Sequence, residues 1–315
     1  MGNTWTLADI PSQAGKRILI TGANSGIGYR AAFTLARKGA HIIFACRDRR
    51  KAEAAIARLN VEAPGASIEF AHLDLASLTS VRNFAEQQLN QRHPIHILIN
   101  NAGVMAPPKR SQTADGFELQ FGTNVLGHFA LTGLLLSALQ QASTKSSEPS
   151  RIVTIASIAH KRGSLNFEDL QYKQNYSPMR TYQQSKLANV MLALEMDRRL
   201  RAAYSNILSV AVHPGVANTN LFQTGQYSAI ENKTRKILSY LIGAFLNTDA
   251  EGALPTLYAA TVSKVESGEY YGPQGFQEMC GDEIGLAKIA PQALDAAAGA
   301  RLWNICEDLT GIKFL

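Results

Sequence analysis

The feature that most constrains this chain is an alternation of short apolar runs with segments of helical spacing, which begins near residue 17. The first run, Arg17 to Thr21, is rich in β-branched residues and leads through a glycine-rich turn into the helix-like segment Tyr29 to Lys38. Further strand-like runs lie at 41–45, 68–73, 95–100, 151–155, 206–213 and 268–271, with helix-like segments at 51–60, 78–90, 124–142 and 182–202. This alternation predicts an α/β fold with a mainly parallel sheet of seven strands and helices on both faces.

No internal repeat or low-complexity linker divides the chain, and the stretch from Ser143 to Ser150 resembles a solvated loop. We therefore expect a single domain over residues 1–315. Residues 216–285 are expected to form a partial lid over the carboxyl ends of the strands, where open α/β sheets bind ligands. With 46% hydrophobic residues, the chain can bury a continuous core.

Charge and cysteine content exclude several classes of function. The net charge is +6, but there is no run of five or more Lys and Arg and no aromatic-plus-basic stripe, so we expect no nucleic-acid partner. Cys46, Cys280 and Cys306 have neither CxxC nor metal-ligand spacing, which predicts no disulfide framework and no metal site. The first 17 residues lack the apolar core of a secretory signal, and Ile237 to Leu246 is too short to span a bilayer. We expect a cytoplasmic protein without an integral membrane segment.

A glycine-rich turn joins the first predicted strand to the first predicted helix, with the sequence Thr21-Gly22-Ala23-Asn24-Ser25-Gly26-Ile27-Gly28. In that position, backbone N–H groups and the helix N-terminus can face a pyrophosphate. A plain strand-to-helix connection is the alternative, because glycine is frequent in any turn. The position in the fold favours dinucleotide binding on a Rossmann-type, doubly wound sheet. The candidate cofactor contacts in the turn are Gly22, Asn24, Ser25, Gly26, Ile27 and Gly28.

The end of the second strand indicates which dinucleotide is bound. An acidic residue there usually holds a ribose 2′-hydroxyl, whereas a 2′-phosphate needs a cation. Here Arg47 occupies the expected place and Asp48 follows it. A solvated surface residue is the alternative interpretation of Arg47, and it is the one we adopt for Arg30. The sequence favours NADP(H) over NAD(H).

Two further loops follow strands at the same edge of the predicted sheet. Asp74 and Leu75 follow the third strand, and Asp74 is suited to bind the adenine edge or its own loop. The fourth strand is followed by a loop in which a small alanine-glycine step lets the backbone approach the cofactor. The candidate contacts in that loop are Asn101, Ala102 and Gly103, while Asn100 fits a loop-stabilising role as well as cofactor contact.

Proton transfer is indicated by Tyr182 and Lys186, which lie four residues apart and hence on one face of a predicted helix. A phenol with a pKa of about 10 is a poor base at neutral pH, but a nearby cation stabilises the phenolate and lowers that pKa. Ser157, just beyond the fifth strand, can hydrogen-bond a substrate oxygen on which charge develops. Asn124 can anchor a water relay from the lysine. A YxxxK pair alone is more often a surface helix pair, so the interpretation depends on the order of all the motifs along the chain.

Together these motifs resemble those of the short-chain dehydrogenase/reductase family over roughly Gly15 to Gly215, with TGxxxGxG at 21–28, NNAG at 100–103 and YxxxK at 182–186. The resemblance implies a catalytic tetrad of Asn124, Ser157, Tyr182 and Lys186. In that tetrad Tyr182 is the general acid/base and Lys186 also holds the nicotinamide ribose. The resemblance further implies that a segment after the sixth strand caps the nicotinamide through Pro214, Gly215, Val216 and Thr219.

One branch of the family is similar in more detail. Ser157 and Tyr182 are 25 positions apart, more than is usual in the family. The extra residues Ala159 to Arg180, the run Ala45-Cys46-Arg47-Asp48 and the late Leu302-Trp303 resemble the retinol dehydrogenase-like branch. That branch includes WW-domain oxidoreductases and light-dependent protochlorophyllide reductase. It mostly uses NADP(H), and family members often form homo-oligomers.

The resemblance implies an NADP(H)-dependent oxidoreductase that interconverts an apolar, retinal-like aldehyde or ketone and its alcohol. Apolar residues in loops near the predicted site are candidates for substrate contact, with core packing as an equal alternative: Met105, Leu165, Phe167, Leu221, Phe222 and Phe245. Two other functions stay open. Light-dependent reduction of a double bond in a chlorophyll precursor is disfavoured because Cys46 lies by the adenosine end of the site and the other cysteines come late in the chain. A sensor or scaffold that binds NADP(H) without catalysis is disfavoured by the intact tetrad.

Overall fold

The computed structural model describes residues 5–146, 148–216 and 247–315. Within those residues, eight strands form one sheet in the order β3-β2-β1-β4-β5-β6-β7-β8. All neighbouring strands are parallel except β7 and β8. The strands are β1 Arg17–Thr21, β2 His41–Cys46, β3 Ser67–His72, β4 Ile97–Asn100, β5 Ser150–Ile155, β6 Ile207–Val212, β7 Tyr270–Pro273 and β8 Ile284–Leu286. The strand order reverses between β1 and β4, which is where open α/β sheets bind ligands.

Helices cover both faces of this sheet. One layer contains α1 Gly26–Arg37, α2 Arg49–Glu62 and α6 Asp249–Thr261, and the other contains α3 Leu78–Asn90, α4 Leu119–Lys145, α5 Pro178–Ala202 and α7 Ala296–Thr310. Successive side chains of a strand point to opposite faces, so each layer has its own core. Leu19 of β1 joins the cluster with α4 and α5, whereas Ile18 and Ile20 join the cluster with α1.

The predicted fold class, a Rossmann-type, doubly wound and mainly parallel α/β sheet, is confirmed, but the sheet has eight strands and not seven. The additional strand, β8, is three residues long and pairs antiparallel with β7. Gly285 stands at its centre, and so short a run carries no alternating pattern that predicts a strand. Its pairing with β7 is a tertiary contact that local sequence does not indicate.

Helix α4 begins earlier than predicted, at Leu119, and contains a π-helical stretch, Gly122–Leu126. In the described part of the chain it is the one helix long and apolar enough to cross a membrane, yet 83% of its apolar window is buried inside the protein. The core helix of a globular protein has the same length and composition. Asn124 lies within the π-helical stretch, a local widening that often occurs at functional sites.

The described parts of the predicted lid, 216–285, lie mainly in the sheet and its helical layer. Helix α6 packs in the same core as α1, and β7 and β8 extend the sheet beyond β6. The backbone N–H of Asn247 donates to the carbonyl oxygen of Val216 across 3.0 Å, so these two residues lie side by side. That segment lies outside the described residues, and with it Thr219, Leu221, Phe222, Phe245 and the stretch Ile237 to Leu246.

Candidate active site

The glycine-rich turn follows β1 at the carboxyl edge of the sheet and is folded tightly. Gly22 and Gly26 have φ angles of +67° and +57°, a region that side chains disfavour. A Cβ atom on Gly28 would lie 2.5 Å from Nδ2 of Asn101 and 2.7 Å from the carbonyl oxygen of Gly22. The turn therefore requires glycine at these positions and brings its backbone against the loop that follows β4.

The first turn of α1 is open to an anion. Ser25 is the N-cap residue, but its side chain makes no capping hydrogen bond. The first N–H groups of a helix have no partner within the helix, and the helix dipole favours negative charge at this end. Donor groups at an uncapped helix start beside a glycine turn fit the pyrophosphate of a dinucleotide. Asn24, Ser25 and Gly26 are partly exposed, whereas Ile27 and Gly28 are buried.

Cys46, at the end of β2, lies beneath this turn. Burial raises the pKa of its thiol to about 11, against the smaller opposing effect of backbone N–H groups of the turn. A thiol held in this state stays protonated at neutral pH and is a weak nucleophile. Its contacts support the turn and give it no role in proton transfer.

Arg47 and Asp48, which follow Cys46, have different surroundings. Arg47 is exposed, and Asp48 is the N-cap of α2 and accepts a hydrogen bond from the N–H of Lys51 across 3.0 Å. The hydrogen bond from this N–H is the largest of the effects that lower the pKa of the Asp48 carboxyl. The carboxylate is thereby engaged by its own helix, while the guanidinium next to it faces solvent at the rim of the sheet.

The loop after β4 is held to the glycine turn by Thr21. Its Oγ1 accepts hydrogen bonds from the N–H groups of Asn101 and Ala102, both across 2.9 Å. The Nδ2 of Asn101 in turn donates to the carbonyl oxygen of Thr21. Asn100 is buried and its Nδ2 donates to Thr132, so of its two predicted roles this contact corresponds to the loop-stabilising one.

His128 also contacts Thr21, and this residue was not among those predicted from the sequence. The Thr21 hydroxyl also lies 2.9 Å from Nε2 of His128 and 3.4 Å from the carbonyl oxygen of Ile99, two groups that can accept its proton. Nδ1 of His128 lies 3.2 Å from the carbonyl oxygen of Asn124, and because a carbonyl oxygen only accepts, Nδ1 carries the proton. Burial lowers the pKa of His128 to about 4, so the ring is neutral. The four-residue spacing of Asn124 and His128 on one helix could have indicated their contact. The contact between His128 and Thr21 could not be predicted in this way, because it joins residues 107 positions apart in sequence.

Asp74 and Leu75 lie between β3 and α3. Oδ1 of Asp74 accepts from the N–H of Ala76, which ties the carboxylate to its own loop. Leu75 is buried, and its carbonyl oxygen would lie 2.4 Å from a Cβ on Gly127 of α4. Of the two roles predicted for Asp74, the described contacts correspond to loop stabilisation.

The four residues predicted to form the tetrad lie on α4, on α5 and just after β5. Tyr182 and Lys186 lie one turn apart on α5, with Nζ of Lys186 5.8 Å from the centre of the Tyr182 ring. That Nζ donates to the carbonyl oxygen of Ile155 across 2.8 Å, which holds it beside the end of β5 and close to Ser157. A Cβ on Gly103 would lie 3.9 Å from this Nζ, an ordinary contact, but 3.2 Å from Oδ1 of Asn124, so the glycine lets the loop after β4 lie close to Asn124.

Asn124 fixes the loop after β4 onto α5. Its Oδ1 accepts from the N–H of Val104 across 2.8 Å, and its Nδ2 donates to the carbonyl oxygen of the same residue. The Nδ2 group also donates to Oγ of Ser185, whose hydroxyl donates to the carbonyl oxygen of Tyr182. The side chain of Asn124 thus connects the loop after β4 to α5, and its backbone carbonyl is engaged by His128.

The pKa values of the pair differ from the prediction. Burial raises the pKa of Tyr182 to about 12, and the neighbouring Ser157 hydroxyl lowers it by less. Burial lowers the pKa of Lys186 to about 8. The direction of the Tyr182 pKa shift is therefore opposite to the predicted one, because burial is its largest cause. Both side chains are withdrawn from water, which penalises phenolate and ammonium alike.

The segment after β6 is tied to the C-terminal part of the chain. Gly215 has a φ of +71°, and a Cβ there would lie 2.4 Å from the carbonyl oxygen of Met279. The same carbonyl accepts from the N–H of Val216, and Asn247 Nδ2 donates to the carbonyl of Pro214. These contacts keep the Pro-Gly segment at the rim of the sheet.

The apolar residues proposed for substrate contact divide into different groups. Leu165 and Phe167 pack against the core cluster that contains α5 and α7. The guanidinium of Arg301 covers the Phe167 ring, 4.3 Å from its centre. For these two the core-packing alternative holds, whereas Met105 is partly exposed in the loop after β4.

Comparisons with known proteins place this site in a family. The short chain dehydrogenase family model matches residues 16–227. Retinol dehydrogenase 14 of Mus musculus is 42% identical over 310 residues, which cover 95% of this chain and 86% of that protein. Retinol dehydrogenase 13 of Homo sapiens is 40% identical over 311 residues, covering 96% of this chain and 88% of that protein.

Solved structures agree with this assignment. An uncharacterised protein from Mycobacterium paratuberculosis superposes with a TM-score of 0.78 at 39% identity, covering 99% of this chain and 100% of that one. The complex of Pseudomonas aeruginosa RhlG with NADP has a TM-score of 0.63 at 23% identity, covering 82% of this chain and 94% of that one, and shows likeness of fold alone. The chain therefore belongs to the short-chain dehydrogenase/reductase family of oxidoreductases, within its retinol dehydrogenase-like branch.

Proposed function

We propose that the protein is an NADP(H)-dependent oxidoreductase that interconverts an apolar, retinal-like aldehyde or ketone and its alcohol. One observation carries the proposal. The phenol of Tyr182 and the ammonium of Lys186 lie on one face of α5, and the Lys186 ammonium is bonded to the strand end that leads to Ser157. An acid, a cation and a hydroxyl at one rim are what protonation of a carbonyl oxygen requires.

The chemistry of reduction divides between the cofactor and the chain. The cofactor, when bound, supplies the hydride to the carbonyl carbon. Tyr182 donates its phenol proton to the substrate oxygen, and the Ser157 hydroxyl hydrogen-bonds the same oxygen as charge develops on it. Lys186 donates one N–H to the carbonyl oxygen of Ile155, which leaves two N–H groups for the ribose hydroxyls and for the phenolate that forms. In the proposed tetrad, the role of Asn124 is to hold the loop after β4 against α5.

The cofactor site we propose extends along the rim from the glycine turn to the Pro-Gly segment. Its candidate contacts are Gly22, Asn24, Ser25, Gly26, Ile27, Gly28, Arg47, Asp74, Leu75, Asn101, Ala102, Gly103, Tyr182, Lys186, Pro214, Gly215, Val216 and Thr219. The preference for NADP(H) is supported by two adjacent residues, Arg47 and Asp48. The exposed guanidinium of Arg47 is available to a 2′-phosphate, and the carboxylate of Asp48 is engaged at the start of α2.

The substrate class rests on the relatives named retinol dehydrogenase and on Met105, an apolar side chain at the loop after β4. A cytoplasmic location is supported by three free cysteines, since disulfides are rare in reducing compartments. A single domain and a homo-oligomeric state complete the proposal, the latter on the resemblance alone.

Fluorescence titration with NADPH and NADH, followed by a panel of aldehydes and ketones at the nicotinamide absorbance, tests this function. Tight NADPH binding with turnover of long apolar aldehydes is the expected result. Tight binding without turnover of any carbonyl compound would favour a sensor or scaffold. Weak binding of both dinucleotides would reject the cofactor assignment itself.

Light-dependent reduction of a tetrapyrrole double bond is the second candidate function, and one observation favours it. The hydrogen bond from Val216 to Met279 brings the half-buried Cys280 beside the Pro-Gly segment, nearer than its late place in the chain suggests. Incubation with protochlorophyllide and NADPH in light and in darkness separates the two functions. Conversion that needs light would support the second one, and no conversion under either condition would remove it.

A further inference from the structure

A buried histidine lies directly behind Ser157. His160 belongs to the 3₁₀ helix Ile158–Arg162, which begins after Ser157 as its N-cap. The ring is fully buried, and none of the residues proposed for the tetrad is a histidine. Its Nδ1 lies 2.7 Å from the carbonyl oxygen of Ser157, and its Nε2 lies 3.2 Å from the backbone nitrogen of Ala290.

These two contacts assign the proton on the ring. A carbonyl oxygen only accepts, so Nδ1 of His160 must carry the proton that it donates to Ser157. A backbone N–H only donates, so Nε2 must be the acceptor for Ala290. The imidazolium form has no acceptor nitrogen and would lose the Ala290 bond. Burial also lowers the pKa of His160 to about 4, which agrees with a neutral ring.

Several polar groups surround this ring. The Tyr270 ring packs edge-on at 5.1 Å, with its hydroxyl 3.4 Å from Nδ1. The His213 ring also packs against Tyr270, with the ring centres 5.2 Å apart, and Glu278 lies 3.6 Å from His213 Nε2 and 2.6 Å from Lys161 Nζ. The negative charge of Glu278 is thus balanced by Lys161, and His160 remains a neutral donor inside the cluster.

The Ser157 residue is held from two sides. Its Oγ accepts from the N–H of Ala159 across 3.1 Å, and its carbonyl oxygen accepts both from the backbone N–H of His160 across 3.0 Å and from Nδ1 of His160 across 2.7 Å. Together these bonds determine the orientation of the peptide that carries the hydroxyl. The two bonds from backbone N–H groups are local to the loop, whereas the bond from Nδ1 connects the loop through the His160 ring to Ala290 in the C-terminal part of the chain.

We propose that His160 is a positioning residue, which holds Ser157 at the substrate oxygen by donating Nδ1–H to its carbonyl. The kinetic consequence of this inference rests on the proposed function, whereas the tautomer assigned to His160 rests on geometry alone. His160 touches neither cofactor nor substrate and acts through Ser157. A misplacement of about 1 Å at a reacting group can lower the rate by about 100-fold.

Three substitutions separate positioning from packing. In His160→Asn the side-chain amide nitrogen takes the place of Nδ1 and keeps the bond to Ser157. In His160→Gln the side-chain amide oxygen takes the place of Nε2 and keeps an acceptor for the N–H of Ala290. His160→Phe removes both bonds and fills the space. The matched control is His93→Asn, because His93 is exposed before β4, at the amino end of the strand.

We expect His160→Asn to keep kcat within about 3-fold of the wild type, and His160→Gln and His160→Phe to lose at least about 10-fold. The dissociation constant of NADPH should stay within about 2-fold in all of them, because the loss is in kcat. Wild-type kcat in His160→Phe, or an equal loss in Asn and Gln, would overturn the proposal. Thermal unfolding of each variant identifies any that fail to fold, and the Asn and Gln comparison then replaces the Phe variant.

A second measurement does not depend on turnover. Heteronuclear NMR of protein with nitrogen-labelled histidine identifies which ring nitrogen carries the proton, and the signals absent from His160→Asn belong to His160. We expect a proton on Nδ1 and none on Nε2 from about pH 5 to about pH 8. A proton on Nε2 in that range would overturn the proposal. Absence of carbonyl turnover in the wild type would reject the proposed function and leave this result valid.

Discussion

The Nζ atom of Lys186 donates a hydrogen bond to the carbonyl oxygen of Ile155 across 2.8 Å, two residues before Ser157. This bond joins the helix that carries Tyr182 to the end of the strand that leads to Ser157. Catalytic candidates from distant parts of the chain are thereby held at one rim of the sheet. The contact also keeps an ammonium inside the protein, where burial lowers its pKa to about 8.

Replacement of Tyr182 by Phe removes the phenol that donates the proton and keeps the ring. We expect Tyr182→Phe to lower kcat at least about 100-fold and to leave NADPH affinity nearly unchanged. Stopped-flow and steady-state assays of NADPH oxidation check this. The control is Tyr204→Phe, since Tyr204 is 97% exposed beyond the end of α5. Wild-type turnover in Tyr182→Phe would remove Tyr182 from the mechanism.

Arg47→Ala tests how the cofactor is chosen. A lost charge-assisted contact to a 2′-phosphate should weaken NADPH binding by about 10-fold to 100-fold and leave NADH binding almost unchanged. Fluorescence titration with both dinucleotides measures the two effects separately. Lys145→Ala is the matched control, because it removes an exposed positive charge at the end of α4. Equal weakening of both dinucleotides would show that Arg47 does not read the phosphate.

The pH dependence of the two directions should differ. Burial raises the pKa of Tyr182 to about 12 and lowers that of Lys186 to about 8, so at neutral pH both carry their protons. Carbonyl reduction uses the protonated phenol beside a charged ammonium, and we expect its kcat to fall as the pH rises above about 8. Alcohol oxidation needs the deprotonated phenol and should become faster with rising pH. Rate profiles in both directions check this, and reduction that accelerates above that pH contradicts it.

Gly28→Ala tests the contact between the glycine turn and the loop after β4. The added Cβ would lie 2.5 Å from Nδ2 of Asn101, so the turn or the loop must shift. We expect the free energy of unfolding to fall by roughly 1–3 kcal/mol and NADPH binding to weaken. Chemical denaturation and titration measure the two effects.

Gly299→Ala is the control for that variant. It adds the same atom in helix α7, where the nearest atom is the end of the flexible Arg198 side chain. Alanine also favours helix over glycine, so stability should stay the same or rise. Equal losses in both glycine variants would mean that the tight contact at Gly28 has no special effect.

Much of this protein is determined by local sequence. The alternation of apolar runs with helical segments predicts a parallel sheet covered on both faces, because side-chain periods of strands and helices differ. Strand β1 and helix α3 have the predicted bounds, Arg17–Thr21 and Leu78–Asn90. The glycine turn, the loop after β4 and the Tyr182–Lys186 pair are also local patterns, and their order along the chain identifies the family.

Other features depend on contacts between distant segments. The antiparallel strand β8 exists only through its pairing with β7, and the tautomer of His160 depends on Ser157 and Ala290, which are far apart in sequence. The direction of the Tyr182 pKa shift was predicted incorrectly because it depends on burial. Sequence indicates which groups lie close along one helix, whereas the removal of water around them is decided by every element that packs over the site.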